Sequence, residues 1–348
     1  MAFQISPGVN VSEIDQTTVV PAVLTTAGAF AGNFTWGPAD QLVLVDSELT
    51  LKNKFGQPND TTATSFFTAA NFLAYGNNLS VVRSVGALAN NACVTSHVQV
   101  KNNDIFLSTY LNTSQNNAYG SFMAKYPGEL GNSLLVSVCD NSTDFTSWDY
   151  KGYFQSAPGT SPQAQAAGGS ADELHIVVID QDGMFTGVPG QVLETFGYLS
   201  KASDAIYNGA TNYYKQVLFN SSKYIYAVDP VQYASTNATW GKTAANTSFA
   251  TLSGAYTFAL SGGTDAAVTD ADVISSMNYF SDSAQTAISL LVTGPYTSTA
   301  VQTNAINLVA TRKDSVAFVS PPASAFSNIP TILTSIQSWL TSLARSSS

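Results

Sequence analysis

The sequence predicts a mixed α+β protein: an α/β layer built from two chain segments, an inserted β-rich domain between them, and an extended N-terminal arm. Three observations predict it. Short strands and helices alternate over residues 23–90 and again over 260–348, the rhythm of an α/β layer. Residues 91–259 instead carry strand-like runs separated by long loops rich in Gly, Ser, Ala and Asn. Residues 1–22 have apolar positions punctuated by Pro7–Gly8 and Pro21, with no helical period.

In the arm, Ile5, Val9, Val11 and Ile14 are spaced for a strand or a polyproline-like segment. Twenty extended residues reach at most about 66–72 Å. The segment reads either as a frayed terminus or as a strand donated to a neighbour's sheet, because apolar alternation at a free end suits β-augmentation. On the second reading Ile5, Pro7, Gly8, Val9, Val11 and Ile14 are the subunit-linking residues.

From 23 to 90, Ala27–Phe34 and Gln41–Val45 read as strands, and Ser47 with Glu48 opens a helix that stops at Phe55–Gly56. Asp60 is expected to cap a longer helix in which Phe66, Ala70 and Leu73 recur at helical spacing, before a strand over Leu79–Val85. In the insertion, Leu134–Cys139, His175–Asp180 and Tyr224–Val228 are strands. Asp182–Gly183 signals a hairpin into Met184–Val188, and Ser156–Ser170 is expected to be an exposed loop. After 260, Thr269 and Asp272 form a capping-box-like start to a helix over Asp270–Phe280. Ile288–Thr293 and Val316–Ser320 are expected as buried strands flanking a helix over Ala300–Thr311. Pro330 opens a last helix in which Ile332, Leu333, Ile336, Trp339, Leu340 and Leu343 form one buried stripe.

Apolar residues make up 45% of the 348, enough for an ordinary core, but only 10% are charged against about 25% in a typical soluble domain. A surface of Ser, Thr, Asn, Gln and Tyr repels itself weakly and suits packing against copies of itself; a neutral halo on a monomer is the plainer reading. The net charge of −10 with no basic run argues against a nucleic-acid surface. Cys93 and Cys139 are too few for a disulfide framework, and two reduced thiols are expected. The N-terminus lacks a basic and an apolar signal region, and no stretch reaches about 18 apolar residues, so the expectation is a soluble protein made in a cytoplasm.

Nothing positive supports an enzyme. His97 and His175 both fall in strand-like runs, and no G-x-S-x-G, H-E-x-x-H or G-x-x-x-x-G-K-[ST] pattern exists. The cysteines lack C-x-x-C spacing. Asp180-Gln181-Asp182-Gly183 begins like a calcium loop but lacks its later Glu, so a turn is expected. Gly262–Gly263 could cradle an anion before a helix, yet Asp265 beside it favours a plain loop. No catalytic, cofactor or metal residue is assigned.

Several segments together resemble the tail sheath family of contractile-tailed, myovirus-type bacteriophages. They are Ser6-Pro7-Gly8-Val9 with Val11 and Glu13; Phe30-Ala31-Gly32 with Phe34 and Trp36-Gly37-Pro38; and Phe55-Gly56-Gln57-Pro58. Asn71–Asn77, Val81-Val82-Arg83, Tyr126-Pro127-Gly128-Glu129-Leu130-Gly131-Asn132, Leu260–Gly263 and Ser320-Pro321-Pro322 continue the order. The resemblance implies a sheath-like layer and a subunit that polymerises as hexameric rings stacked helically around a tail tube. Contraction then drives the tube through the host envelope, and the arm at 1–22 links neighbours. It also implies the tail tube protein, baseplate and tail terminator as partners, a place in the virion after assembly in the host cytoplasm, and no cofactor, nucleic acid or membrane insertion. The family's C-terminal domain has no counterpart before Ser348. Two other readings are a sheath subunit of a bacterial contractile injection device, and a β-rich glycan-binding or decoration protein.

Overall fold

The structure, a computed structural model, describes residues 26–231 and 239–343. The arm residues Ile5, Pro7, Gly8, Val9, Val11 and Ile14 lie outside them.

A five-stranded sheet is assembled from both ends of the described chain. Gly28–Gly32 lies at its centre, parallel to Leu79–Arg83 on one side and to Leu290–Val292 on the other. Val316–Phe318 adds a parallel edge, and Leu42–Val45 an antiparallel one. Side chains alternate across a strand, so Phe30 faces one side of the sheet while Ala29 and Ala31 face the other. Phe30 joins Val45, Leu51, Phe55, Phe66 and Leu79 beneath the helices Glu48–Phe55 and Ala63–Leu73. Ala29 and Ala31 pack with Val273, Met277, Leu291, Val301 and Ala305 beneath Asp270–Met277 and Thr299–Arg312. Helices on both faces explain why the central strand is buried along its whole length.

The second layer is a four-stranded antiparallel sheet in the order Tyr256–Ala259, Leu134–Cys139, Glu173–Asp180, Gln191–Ser200. Val136, Val138, Ile176 and Val178 point to a core shared with the helix Tyr214–Ser221 and the strand Ile225–Ala227. The opposite face holds Cys139, Val177 and Ile179 under Trp148, whose indole N–H donates to the buried Ser137 Oγ at 2.8 Å. Cys93 and Cys139 are buried free thiols, and burial pushes them up to about 12 and about 11.

Several expectations are corrected. The second helix begins at Ala63, not on an Asp60 cap: Asn59 Oδ1 accepts from the amides of Thr61 and Thr62 and turns the chain first. No strand forms over Met184–Val188. The buried Asp180 carboxylate draws in the amides of Phe185 and Thr186 at 3.0 and 2.8 Å, so the return strand starts only at Gln191. Ser156–Ser170 contains a short helix, Pro162–Ala166, because Ser161 caps it and Asp172 holds Ser161 through its amide and hydroxyl. Val316–Phe318 is an exposed edge, with Val316 59% and Phe318 54% accessible, not a buried strand. Pro330 lies in a 3-10 turn, and the last helix, Ile332–Ser342, buries none of its residues; Leu333 is 78% exposed and only Leu343 beyond it is buried.

The capping box is as expected: Thr269 Oγ1 accepts from the Asp272 amide while Asp272 Oδ2 accepts from the Thr269 amide at 2.8 Å. Replacing Thr269 with Ala should therefore lower the unfolding free energy by about 1 kcal/mol in a urea titration, with no change in far-ultraviolet dichroism of the native state.

Candidate functional site

The Leu79–Arg83 strand ends on a fully buried arginine. The guanidinium of Arg83 donates through Nε to the carbonyl of Phe34 at 2.9 Å and through Nη1 to that of Gly37 at 2.8 Å. Nη2 donates to Pro127 at 2.8 Å and, more weakly, to Thr35 at 3.4 Å. A planar fork with five N–H donors is the one side chain able to collect carbonyls from several directions at once. Phe34 to Gly37 belong to the loop leaving the central strand of the first sheet, and Pro127 leads into the first strand of the second layer. Arg83 therefore ties the two layers together.

The same loop carries Trp36 across the junction. Its ring meets Tyr126 edge-on at 5.3 Å and Phe185 at 5.1 Å, and Phe185 meets Tyr224 at 5.1 Å. Trp36 thus packs into the core of the antiparallel layer although it is connected to the parallel one. Its backbone is held in turn by the 55–57 segment: Trp36 N–H donates to Phe55 at 3.0 Å, and Thr35 Oγ1 to the carbonyls of Phe55 and Gln57. Gly37 has φ +97°, and a Cβ there would sit 2.5 Å from the Lys54 carbonyl, so no other residue serves.

On the far side of Arg83, Gly128 has φ +137° and approaches Asp265 so closely that a Cβ would lie 2.8 Å from its carboxylate. Asn132 then clasps Gly263 both ways, Nδ2 donating to its carbonyl and Oδ1 accepting from its amide, each at 2.8 Å. Burial lowers Arg83 to about 10, while Asp265 and then Tyr126 oppose the shift, so it stays charged near neutrality. Most segments here are ones that sequence motifs singled out: Phe34–Pro38, Phe55–Pro58, Arg83, Tyr126–Asn132 and Leu260–Gly263. The Asn71–Asn77 and Ser320–Pro322 motifs are not part of it; Phe72 packs over Gly28, and Ser320 accepts from Gln302.

At this junction the guanidinium is spent on carbonyls. His97 is exposed on a two-residue strand. His175 is buried, its Nε2 within 3.0 Å of the Ser156 carbonyl and its Nδ1 accepting from the Tyr198 amide at 3.0 Å, with Phe154 stacked on the ring at 4.2 Å. Among the described residues no three of His, Cys, Asp and Glu converge as metal ligands. Gly262–Gly263 forms a packed loop, not an anion cradle, since a Cβ on Gly263 would meet the Gly128 carbonyl at 2.6 Å.

Residues 25–83, which end on the clasping arginine, match the family model described as tail sheath protein Gp18 domain III N-terminal region. The chain is related to phage tail sheath proteins. It is 34% identical over 194 residues to the tail sheath protein of Salmonella phage ViI, covering 55% of this chain and 28% of that protein. It is 49% identical over 84 residues to the tail sheath protein of Enterobacteria phage T4, covering 23% of this chain and 12% of that one. The chain thus spans well under a third of these sheath proteins. In structure it overlaps the sheath tail protein Lin1278 from Listeria innocua with a TM-score of 0.44 and 15% identity, over 83% of this chain and 45% of that one.

Sequence reasoning quoted Arg83 only as part of a motif and missed its role; its partners lie 44 to 49 positions away, beyond any periodic signal. It also missed the buried pair of Lys201 and Asp140, 2.8 Å apart with both side chains inaccessible.

Two outcomes are expected. Arg83→Lys keeps a charge but loses the fork, and should cost about 2–4 kcal/mol in urea unfolding; a loss below about 0.5 kcal/mol would mean that the carbonyls do not need it. Burial depresses the His175 pKa below its ordinary 6.5, against the opposing hydrogen bond to the Ser156 carbonyl. The unfolded chain then binds more protons, so stability is complete above pH 6.5 and declines as pH falls through and below it. Unfolding titrations across that window should show the decline, and His175→Phe should flatten it.

Proposed function

We propose that the chain is a structural subunit of a contractile phage tail sheath that polymerises as stacked six-fold rings around the tail tube and contracts to drive the tube through the host envelope. The observation that carries this reading is the packing of the sheath-like motifs into one junction. Around Arg83 they hold two layers together. A subunit that moves as a unit while its linkages persist is what a contracting lattice requires.

On this reading the chain divides into an arm at 1–22, a sheath layer from 23–90 and 260–348, and an outer β-rich insertion at 91–259. The arm, through Ile5, Pro7, Gly8, Val9, Val11 and Ile14, links each subunit to a neighbour by adding an extended strand to its sheet. Partners are other copies of the chain, the tail tube protein, the baseplate and the tail terminator. The protein works without catalysis, as part of the virion, after assembly in the host cytoplasm.

Purified protein should form tubes or polysheaths visible by negative-stain electron microscopy. Removing residues 1–20 should leave dichroism and the melting transition unchanged while abolishing ordered polymers. Polymers that persist in the shortened protein would refute the linking role of the arm.

A further inference from the structure

Beside the Arg83 junction, a cavity of about 670 Å³ opens between the Glu48–Phe55 helix and the antiparallel layer. That volume lies within the range of about 300–1,000 Å³ usual for ligand sites. Its lining carries one sign of charge. Lys52, Lys54, Lys125 and Lys223 border it, four of the thirteen Lys and Arg residues in the chain. Among the described residues no Asp or Glu does. The chain as a whole has a net charge of −10, so the cavity reverses the overall balance. Its lysines come from three separate parts of the sequence, and it is the fold that gathers them.

The innermost charge is Lys125, which is 5% exposed. An ammonium has three N–H donors. Two reach the carbonyls of Phe219 and Ser222 at the end of the Tyr214–Ser221 helix, and the third has no partner among the described residues. Burial lowers this group to about 8, with Glu194 opposing the shift. Glu194 is itself engaged, accepting from the Ser222 hydroxyl at 2.7 Å and the Lys223 amide at 2.8 Å. Lys54 donates to the Leu44 carbonyl at 3.0 Å. Lys52 and Lys223 are exposed, and among the described residues neither has an ion-pair partner.

Trp36, Phe185 and Tyr224 form the aromatic side of the same cavity. A low-dielectric cleft lined by one sign of charge concentrates ligands of the opposite sign. A lone inorganic anion would leave most of this volume, and the aromatic side with it, unfilled. We propose that the cavity is a binding site for a small organic polyanion, its planar ring against Trp36, Phe185 and Tyr224 and its anionic groups on Lys125 within and Lys52 and Lys223 at the border. Such a ligand bridges the two layers and stabilises the native chain over the unfolded one. The site stands apart from the sheath reading, and neither depends on the other.

The probe is trimesate, a benzene ring bearing three carboxylates, titrated into the full chain by isothermal calorimetry. Saturable binding is expected, weakening as salt is raised, with a higher melting temperature at saturation. Lys52→Glu with Lys223→Glu should weaken it at least about tenfold while native dichroism is retained. Lys151→Glu with Lys242→Glu makes the same change in net charge at exposed lysines outside the cavity lining, and should weaken it less than about twofold. Benzoate supplies the ring with one charge and inorganic phosphate the charge without a ring; each should bind at least about tenfold more weakly than trimesate. Three results would each overturn the proposal: no saturable binding of trimesate, equal effects of the two lysine pairs, or phosphate binding as tightly as trimesate, which would mean an adventitious ion only.

Discussion

The buried guanidinium of Arg83 is the constraint around which the two layers are arranged. The carbonyls of Phe34, Gly37 and Pro127 turn inward where the two sheets meet, and a buried carbonyl without a donor costs as much as a lost hydrogen bond. No backbone amide supplies all three, because they belong to loops of different layers. One planar side chain does, and its presence permits the approach of Gly128 to Asp265 and the insertion of Trp36 into the neighbouring core. The charge itself is balanced by carbonyl dipoles and by Asp265 nearby, with no direct ion pair. Only three arginines occur in the chain, and Arg312 behaves like Arg83, donating to the carbonyls of Phe280 and Thr286 at the end of its helix. Both arginines among the described residues are internal fastenings.

The same economy governs the acids. Asp140, Asp172, Asp180 and Asp229 are buried, and each gathers backbone or hydroxyl donors of a loop. Lys201 lies between two such loops, paired with Asp140 and held over the Trp240 ring at 5.0 Å. A sequence that is only 10% charged thus commits part of that charge to the interior, and the surface carries fewer charged groups than composition alone suggests.

Local signals were legible where chemistry is local. Leu134–Cys139 is a continuous apolar run and forms a strand over those residues; Ser47 and Gly56 bracket the Glu48–Phe55 helix because cap preferences depend on one or two neighbours. Two misreadings share a cause. Met184–Val188 and Ser156–Ser170 are shaped by carboxylates of Asp180 and Asp172 that collect nearby donors, which hydrophobic periodicity does not display. Val316, Phe318 and Leu333 are apolar and were expected inside, but hydrophobicity alone does not say whether a partner element covers them. At the junction the motifs were visible as residue patterns, while the reason for them, one arginine and its carbonyls, required the fold.

The distribution of order bears on how such a body could work in a lattice. Between the two layers the contacts are a buried arginine, an aromatic run from Tyr126 through Trp36 to Phe185, and the Asn132–Gly263 clasp. These interactions are short and directional, so a small rotation between the layers would break several of them at once. At the opposite end of the parallel sheet, Val316, Phe318 and Leu333 present an apolar edge and helix to the outside. An exposed apolar edge is a liability for an isolated molecule in water and an asset for one that is surrounded by copies. Under the sheath reading, rearrangement therefore has to occur between bodies and not within them, and the Arg83 clasp is what confines it there.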